Sequence, residues 1–169
     1  MRLAVKIMGF VVATAVSGVT LLPMPSHAAS GEEVIKARVA FMKDDIEAHW
    51  RPLAAYAKSG KGSLADVEKN ATALAKLAEK ISAHFPKDTG RGNYPDKLTR
   101  ALPAIWTDWE GFNKDVRRLE DESEKLARLA KEGNKDAVVT MIGSSGSYSK
   151  TKIGCAECHE TFRGAAVKK

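Results

Sequence analysis

Four stretches of helical periodicity, joined by mostly short links, predict an all-α protein: an antiparallel four-helix bundle. No prolonged alternating, β-branched run is present to build a sheet. Within each stretch the apolar residues recur at intervals of three and four, the spacing of helices packed at about +20°. The 169 residues suffice for one domain with its own core.

The first 28 residues stand apart from that domain. Arg2 and Lys6 precede an apolar run from Ile7 to Leu22, Pro23 and Pro25 end it, and Ser26-His27-Ala28 has the small-x-small form of a cleavage site. This is the pattern of a secretory signal peptide. The run is shorter than the roughly 20 apolar residues of a spanning helix, so the mature chain, residues 29–169, is expected to have no membrane span. Losing Arg2 and Lys6 lowers the formal net charge from +6 to +4. A mildly basic domain suits an acidic partner protein. Nucleic acid is not expected, because the cations are interleaved with Asp and Glu and no nucleic-acid motif occurs.

Segment A runs from Glu32 to Lys58, with Ile35, Val39, Met42, Ile46, Trp50, Leu53 and Ala57 on its stripe. Pro52 lacks a backbone donor and predicts a kink there. Segment B opens on Ser63, an N-cap with Asp66 three residues on. Its stripe is Leu64, Val67, Ala71, Leu74, Ala78, Ile81 and Phe85, and Pro86 stops it. A loop rich in Gly, Asn and Pro follows. Pro103 suits the first turn of segment C, whose stripe is Ile105, Trp109, Phe112, Val116, Leu119, Ser123, Leu126 and Ala130, with Gly133 as its terminator. Segment D, Lys135 to Arg163, carries Val138, Met141, Ser145, Tyr148, Lys152, Cys155, His159 and Phe162. Gly143, Gly146 and Gly154 lie inside it, each costing a helix about 1 kcal/mol relative to Ala.

The only two cysteines lie in Cys155-Ala156-Glu157-Cys158-His159. A disulfide here would close a very short loop and add little stability. CxxCH instead matches the chemistry of covalent haem: two thiols add across the two vinyl groups, and the adjacent imidazole reaches the iron. On a helix, Cys155 and His159 share a face, with Cys158 beside them. A thioredoxin-like motif would need a βαβ setting, yet 11 residues follow Cys158 and no strand is visible. Zinc would need a fourth ligand, and neither His49 nor His84 belongs to a second cysteine pair. A di-iron bundle needs Glu-x-x-His, but Ile46, Ile81 and Ala156 stand three before His49, His84 and His159.

The C-terminal CAECHETFR, the Arg-x-x-x-Met from Arg38 to Met42, and Pro103-Ala-Ile-Trp106 resemble the class II c-type cytochromes, the cytochrome c′ family. The resemblance covers the mature chain. It implies a periplasmic four-helix bundle with one haem c on Cys155 and Cys158, and iron bound by His159. It further implies that Arg38 contacts a haem propionate, that Arg163 lies close to His159 and the iron, and that two copies can pair through the first two helices. Met42 is the family's distal position. Some members bind iron through this methionine and are low-spin; the cytochromes c′ proper leave the position open. Met42 lies on the predicted buried stripe, four residues after Arg38, so it is expected as the sixth ligand. A Met/His pair favours electron transfer and raises the reduction potential. The reading is therefore single-electron transfer between periplasmic redox proteins, with no enzymatic reaction. The alternative is a five-coordinate protein binding nitric oxide or carbon monoxide; a third reading is a sensory or structural bundle that merely holds haem.

Two predictions follow from the motif and the leader. Haem should stay with the chain on a denaturing gel stained for haem peroxidase activity, and Cys155→Ala with Cys158→Ala should abolish the stain. Release of all haem by acid-acetone would contradict covalent attachment. N-terminal sequencing of periplasmic protein should begin within a residue or two of Ala29; an intact Met1 on a membrane-embedded product would mean that the leader is retained.

Overall fold

The computed structural model describes residues 30–167. The expected signal peptide, residues 1–28, lies outside them. The described chain forms a four-helix bundle built from seven α-helices, one π-helical segment and two 3₁₀ turns. The first arm is α1 (Gly31–Ala40), a π-helical segment (Phe41–Ile46) and α2 (Glu47–Ser59) in unbroken succession. The second is α3 (Leu64–Ala78), followed by a 3₁₀ turn (Ile81–His84). The third is the short α4 (Ala104–Thr107) and the long α5 (Trp109–Lys131). The fourth is α6 (Lys135–Ile142), a 3₁₀ turn (Tyr148–Lys150) and α7 (Cys155–Phe162). No helix among the described residues is long and apolar enough to cross a membrane.

The helix ends are written in local chemistry. Ser63 Oγ accepts from Asp66 N at 3.1 Å, and Asp66 Oδ2 accepts from Ser63 N at 2.9 Å, a reciprocal capping box. Ser30 and Glu33 repeat the arrangement at the start of α1. At the end of α5, Asn134 N donates to Leu129 O and Gly133 N to Ala130 O, at 3.0 and 3.1 Å. This pair satisfies two of the last carbonyls, with Gly133 at φ 79°. The core between α3 and α5 is the expected one. Val67, Ala71, Leu74 and Ala78 meet Phe112, Val116, Leu119, Leu126 and Ala130, and all are buried. Burying a side chain such as Leu126 or Phe112 stabilises by roughly 1.5–3 kcal/mol.

Four departures from the periodicity have physical causes. Segment D is not one helix, because its three glycines all adopt positive φ: 88° at Gly143, 64° at Gly146 and 95° at Gly154. Ser145, Tyr148 and Lys152 are consequently exposed, while Ile153 is fully buried. Segment C is interrupted at Asp108, whose Oδ1 accepts from Gly111 N at 3.0 Å and caps a new helix; Trp109 is left exposed. Segment B ends as an α-helix at Ala78 and tightens to 3₁₀ geometry, although Ile81 and Phe85 stay buried.

In the first arm, the departure from α geometry lies ahead of Pro52, which sits inside α2. Across the π-helical segment Glu47 N donates to Met42 O, five residues back. One extra residue in that turn shifts the face presented to the core. Arg38 and Phe41 are buried, Met42 is half-buried, and Val39 is exposed. The expectation that Val39 and Met42 would both lie on the buried stripe is corrected accordingly.

A Cβ on Gly143 would stand 2.8 Å from the Lys150 carbonyl oxygen, at a φ that L-residues avoid. Gly143→Ala should therefore destabilise by about 2 kcal/mol and lower Tm by roughly 4–8 °C. Gly133→Ala meets open space at a similar φ and should cost about 1 kcal/mol. Thermal melts of the two variants check this; equal losses would mean that the contact at Gly143 is immaterial.

Candidate functional site

Cys155, Cys158 and His159 all lie on α7, as the motif requires, and α7 is held from three sides. Phe162 is buried at its C-terminal end, with its ring edge-on to Phe112 of α5 at 5.5 Å. Glu157 pairs with Arg118 of α5 at 2.9 Å. The chain before α4 closes over the end of α7: Leu102 N donates to Phe162 O at 3.1 Å and Gly164 N to Arg100 O at 2.8 Å. Ala101 and Arg163 thereby form an antiparallel bridge. Two side chains reinforce it, Arg100 Nε donating to Gly164 O at 2.7 Å and Arg91 Nη2 to Ala165 O at 2.6 Å.

Arg38 secures that covering chain from the other side. Its guanidinium is buried and donates to Thr89 Oγ1 (2.9 Å), Thr89 O (2.8 Å) and Thr99 Oγ1 (2.8 Å). It also lies 4.7 Å from the centroid of the Phe85 ring. Burial draws it down to about 10, still far above neutrality, so it remains a cation. Three of its five N–H groups are used in this way; the other two are available to a further acceptor.

Cys155 and Cys158 are free thiols, half-buried against the apolar core. Burial pushes both up to about 12, with Glu157 adding to the rise at Cys155 and Asp115 at Cys158. They are neutral thiols at physiological pH, without the thiolate character of redox cysteines. Met42 borders the same core. His159 is half-buried, and its Nδ1 is buried with no hydrogen-bond partner among the described residues. Burial first, then the Arg163 and Arg100 guanidiniums, pull the imidazole down to about 4. The ring is therefore neutral at physiological pH, the form that binds a metal. Tyr148 meets it edge-on at 5.2 Å.

Of the residues singled out from the sequence, His159 and Arg163 line one cavity of about 310 Å³, with Tyr148 and Arg100. Cys155, Cys158 and Met42 border the core. Arg38, in α1, bonds the covering chain at Thr89 and Thr99 and is joined to α7 through it. Thr89, Thr99 and Arg100 carried no signal in the sequence, because each acts through partners distant along the chain, and Tyr148 was read only as a stripe residue of segment D. His49 is a helix-packing residue, its Nδ1 3.0 Å from Asn70 Oδ1 of α3. His84 stacks on Phe41 at 4.0 Å. Among the described residues no cluster of three or more His, Cys, Asp or Glu is arranged to hold a metal ion directly.

The donor set fits haem c. Two thiols stand on adjacent turns beside apolar side chains, and the neighbouring imidazole is neutral with an unpartnered nitrogen. Comparison with known proteins agrees. The cytochrome C′ family model matches residues 33–163. A cytochrome c′ from Pararhodospirillum photometricum is 28% identical over 131 residues, spanning 76% of this chain and 97% of the relative. The solved cytochrome c′ from Rhodobacter Spheriodes superposes with a TM-score of 0.65 at 28% identity, over 80% of this chain and 98% of that one. A second solved cytochrome c′, described as having an unusual ligand-controlled dimer dissociation, gives 0.63 at 26% identity, over 82% and 99%. With fold, motif and relatives in agreement, the chain belongs to the cytochrome c′ family, whose members are haem proteins carrying covalently attached haem c and its iron.

Proposed function

We propose that this chain is an exported, periplasmic haem protein that binds a small neutral gas, nitric oxide or carbon monoxide, at an iron left open on its distal side. Cys155 and Cys158 would hold the haem through their thiols, and His159 would bind its iron. The leader, residues 1–28, directs export. Haem supplies an iron with an empty coordination position; the protein supplies a neutral imidazole, an apolar surrounding and two arginines beside the proximal ligand. Arg38 keeps two N–H groups free for a propionate while fixing the chain that covers α7. Arg163 places its charge beside His159.

The position of Met42 carries the open-site reading. The π-helical turn brings Phe41, not Met42, fully into the core, and leaves Met42 half-buried at its margin. A thioether there is not clamped by packing, and methionine is flexible about three bonds. The relatives support the same reading: the Pararhodospirillum protein and the solved neighbours are cytochromes c′, the group for which an open position was expected. Electron transfer with Met42 as sixth ligand, the first expectation from the sequence, fits these observations less well. Pairing of two copies through the first two helices belongs to the proposal; a 26% identical neighbour is itself described as a dimer whose dissociation a ligand controls.

Optical spectra of the purified holoprotein test this reading. The ferric form should be high-spin, the ferrous form should bind carbon monoxide, and Met42→Ala should leave the spin state unchanged. A low-spin wild type, with a sulfur-to-iron charge-transfer band lost in Met42→Ala, would instead make the protein an electron carrier with Met42 on the iron.

A further inference from the structure

A run of packed rings leads from the cysteine-bearing helix to the surface. Phe162 lies on α7 three residues after His159, so the two are neighbours on that helix. Its ring meets Phe112 of α5 edge-on at 5.5 Å, and Phe112 meets Trp109 at 5.4 Å with the planes 29° apart. Both spacings are those of aromatic pairs in contact. Phe162 and Phe112 are buried, whereas Trp109 is 40% exposed. The series therefore begins one turn from His159 and ends in water. It consists of side chains of α5 and α7 alone, and Trp109 stands on the third arm, away from the first two helices.

An exposed indole at the end of this path has a chemical meaning. Indole gives up an electron readily; a phenyl ring does not, so Phe112 and Phe162 can only shorten the gap that an electron crosses. Trp109 is flanked by Asp108 and Glu110, whose negative charge favours an indole that is losing an electron. The other branches lack this setting. Phe85 meets Phe112 at 4.9 Å, but the Arg38 guanidinium stands 4.7 Å over its ring. The Trp106 indole N–H donates to Phe85 O at 3.1 Å, a neutral acceptor that cannot take its proton. Tyr148 is similarly exposed and meets His159 at 5.2 Å, yet its hydroxyl faces the Arg163 guanidinium at 3.5 Å. That cation opposes loss of an electron from the phenol.

We propose that Trp109 is an oxidation site fed from the haem: when a hydroperoxide is reduced at the iron, electrons are drawn from Trp109 along Phe112 and Phe162. The proposal rests on the reading of an open iron, since the peroxide needs that position. Hydrogen peroxide takes up two electrons and two protons, its O–O bond breaks, and it leaves as two waters. The Trp109 indole gives up the two electrons in single steps. One water then adds to its ring, forming a C–O bond, and two protons pass to solvent. In sum, one peroxide and one indole give one hydroxyindole and one water, and the oxygen on the ring comes from solvent. The oxidising equivalents thus end at the surface rather than on the haem.

The test treats the ferric holoprotein with hydrogen peroxide in heavy-oxygen water and maps the products by peptide mass spectrometry. Trp109 should gain heavy oxygen, while Trp50, Trp106 and Tyr148 should gain little. Phe112→Leu, which removes the middle ring, should cut that gain severalfold. Trp109→Phe should make the haem bleach severalfold faster at equal peroxide. Haem content and far-ultraviolet dichroism report folding; if Phe112→Leu does not fold, Trp109→Phe carries the comparison alone. With peroxide still consumed, ordinary oxygen or none on Trp109, label shared equally with Tyr148, or bleaching unchanged in Trp109→Phe overturns the relay. A ferric protein that leaves the peroxide unconsumed overturns the open-iron reading, and the relay with it.

Discussion

An eight-residue helix has almost no stability of its own in water, and α7, which carries both cysteines and His159, is eight residues long. Its position depends on what closes over it. The backbone of residues 100–102 bonds that of residues 162–164, and the covering chain is pinned in turn by Arg38 from the first arm. A buried guanidinium with three acceptors is stable; the same cation without them would carry a large desolvation penalty. The covering chain and Arg38 therefore need each other, and α7 needs both. Phe162 against Phe112 and Glu157 against Arg118 complete the attachment.

This arrangement explains why the bundle is regular in one half and irregular in the other. α3 and α5 bury continuous apolar stripes and need no cofactor to do so. The fourth arm contains three glycines at positive φ, and its apolar residues do not form a stripe. A covalently attached apolar macrocycle would supply the packing that this arm lacks beside Cys155 and Cys158. The π-helical turn in the first arm has the same character: it exchanges ideal hydrogen bonding for a changed side-chain register, and such turns occur frequently at functional sites.

The environment of His159 is electrostatically one-sided. The His159 Nδ1 is buried with no partner among the described residues, and the charges that depress the ring are the Arg163 and Arg100 guanidiniums, with Glu160 exposed at the rim of the same cavity.

What the sequence determined by itself is local: the 3–4 spacing of α3 and α5, the Ser63 cap, the Gly133 terminator and the CxxCH spacing that places Cys155, Cys158 and His159 on one helix. Each depends on residues a few positions apart, so periodicity and capping chemistry suffice to read them. The tertiary structure decided the rest. Arg38 meets Thr89 and Thr99, 51 and 61 residues away, and no pattern in the chain announces that pairing. Whether glycines inside a periodic stretch are tolerated or become turns depends on neighbours: at Gly143 the Lys150 carbonyl approaches too closely for any side chain. Phe41 replaced Met42 at the centre of the buried face because a π-helical turn breaks the 3.6-residue rule on which the stripe was drawn. Arg100 came to lie beside His159 only because a backbone bridge joins two chain segments about sixty residues apart.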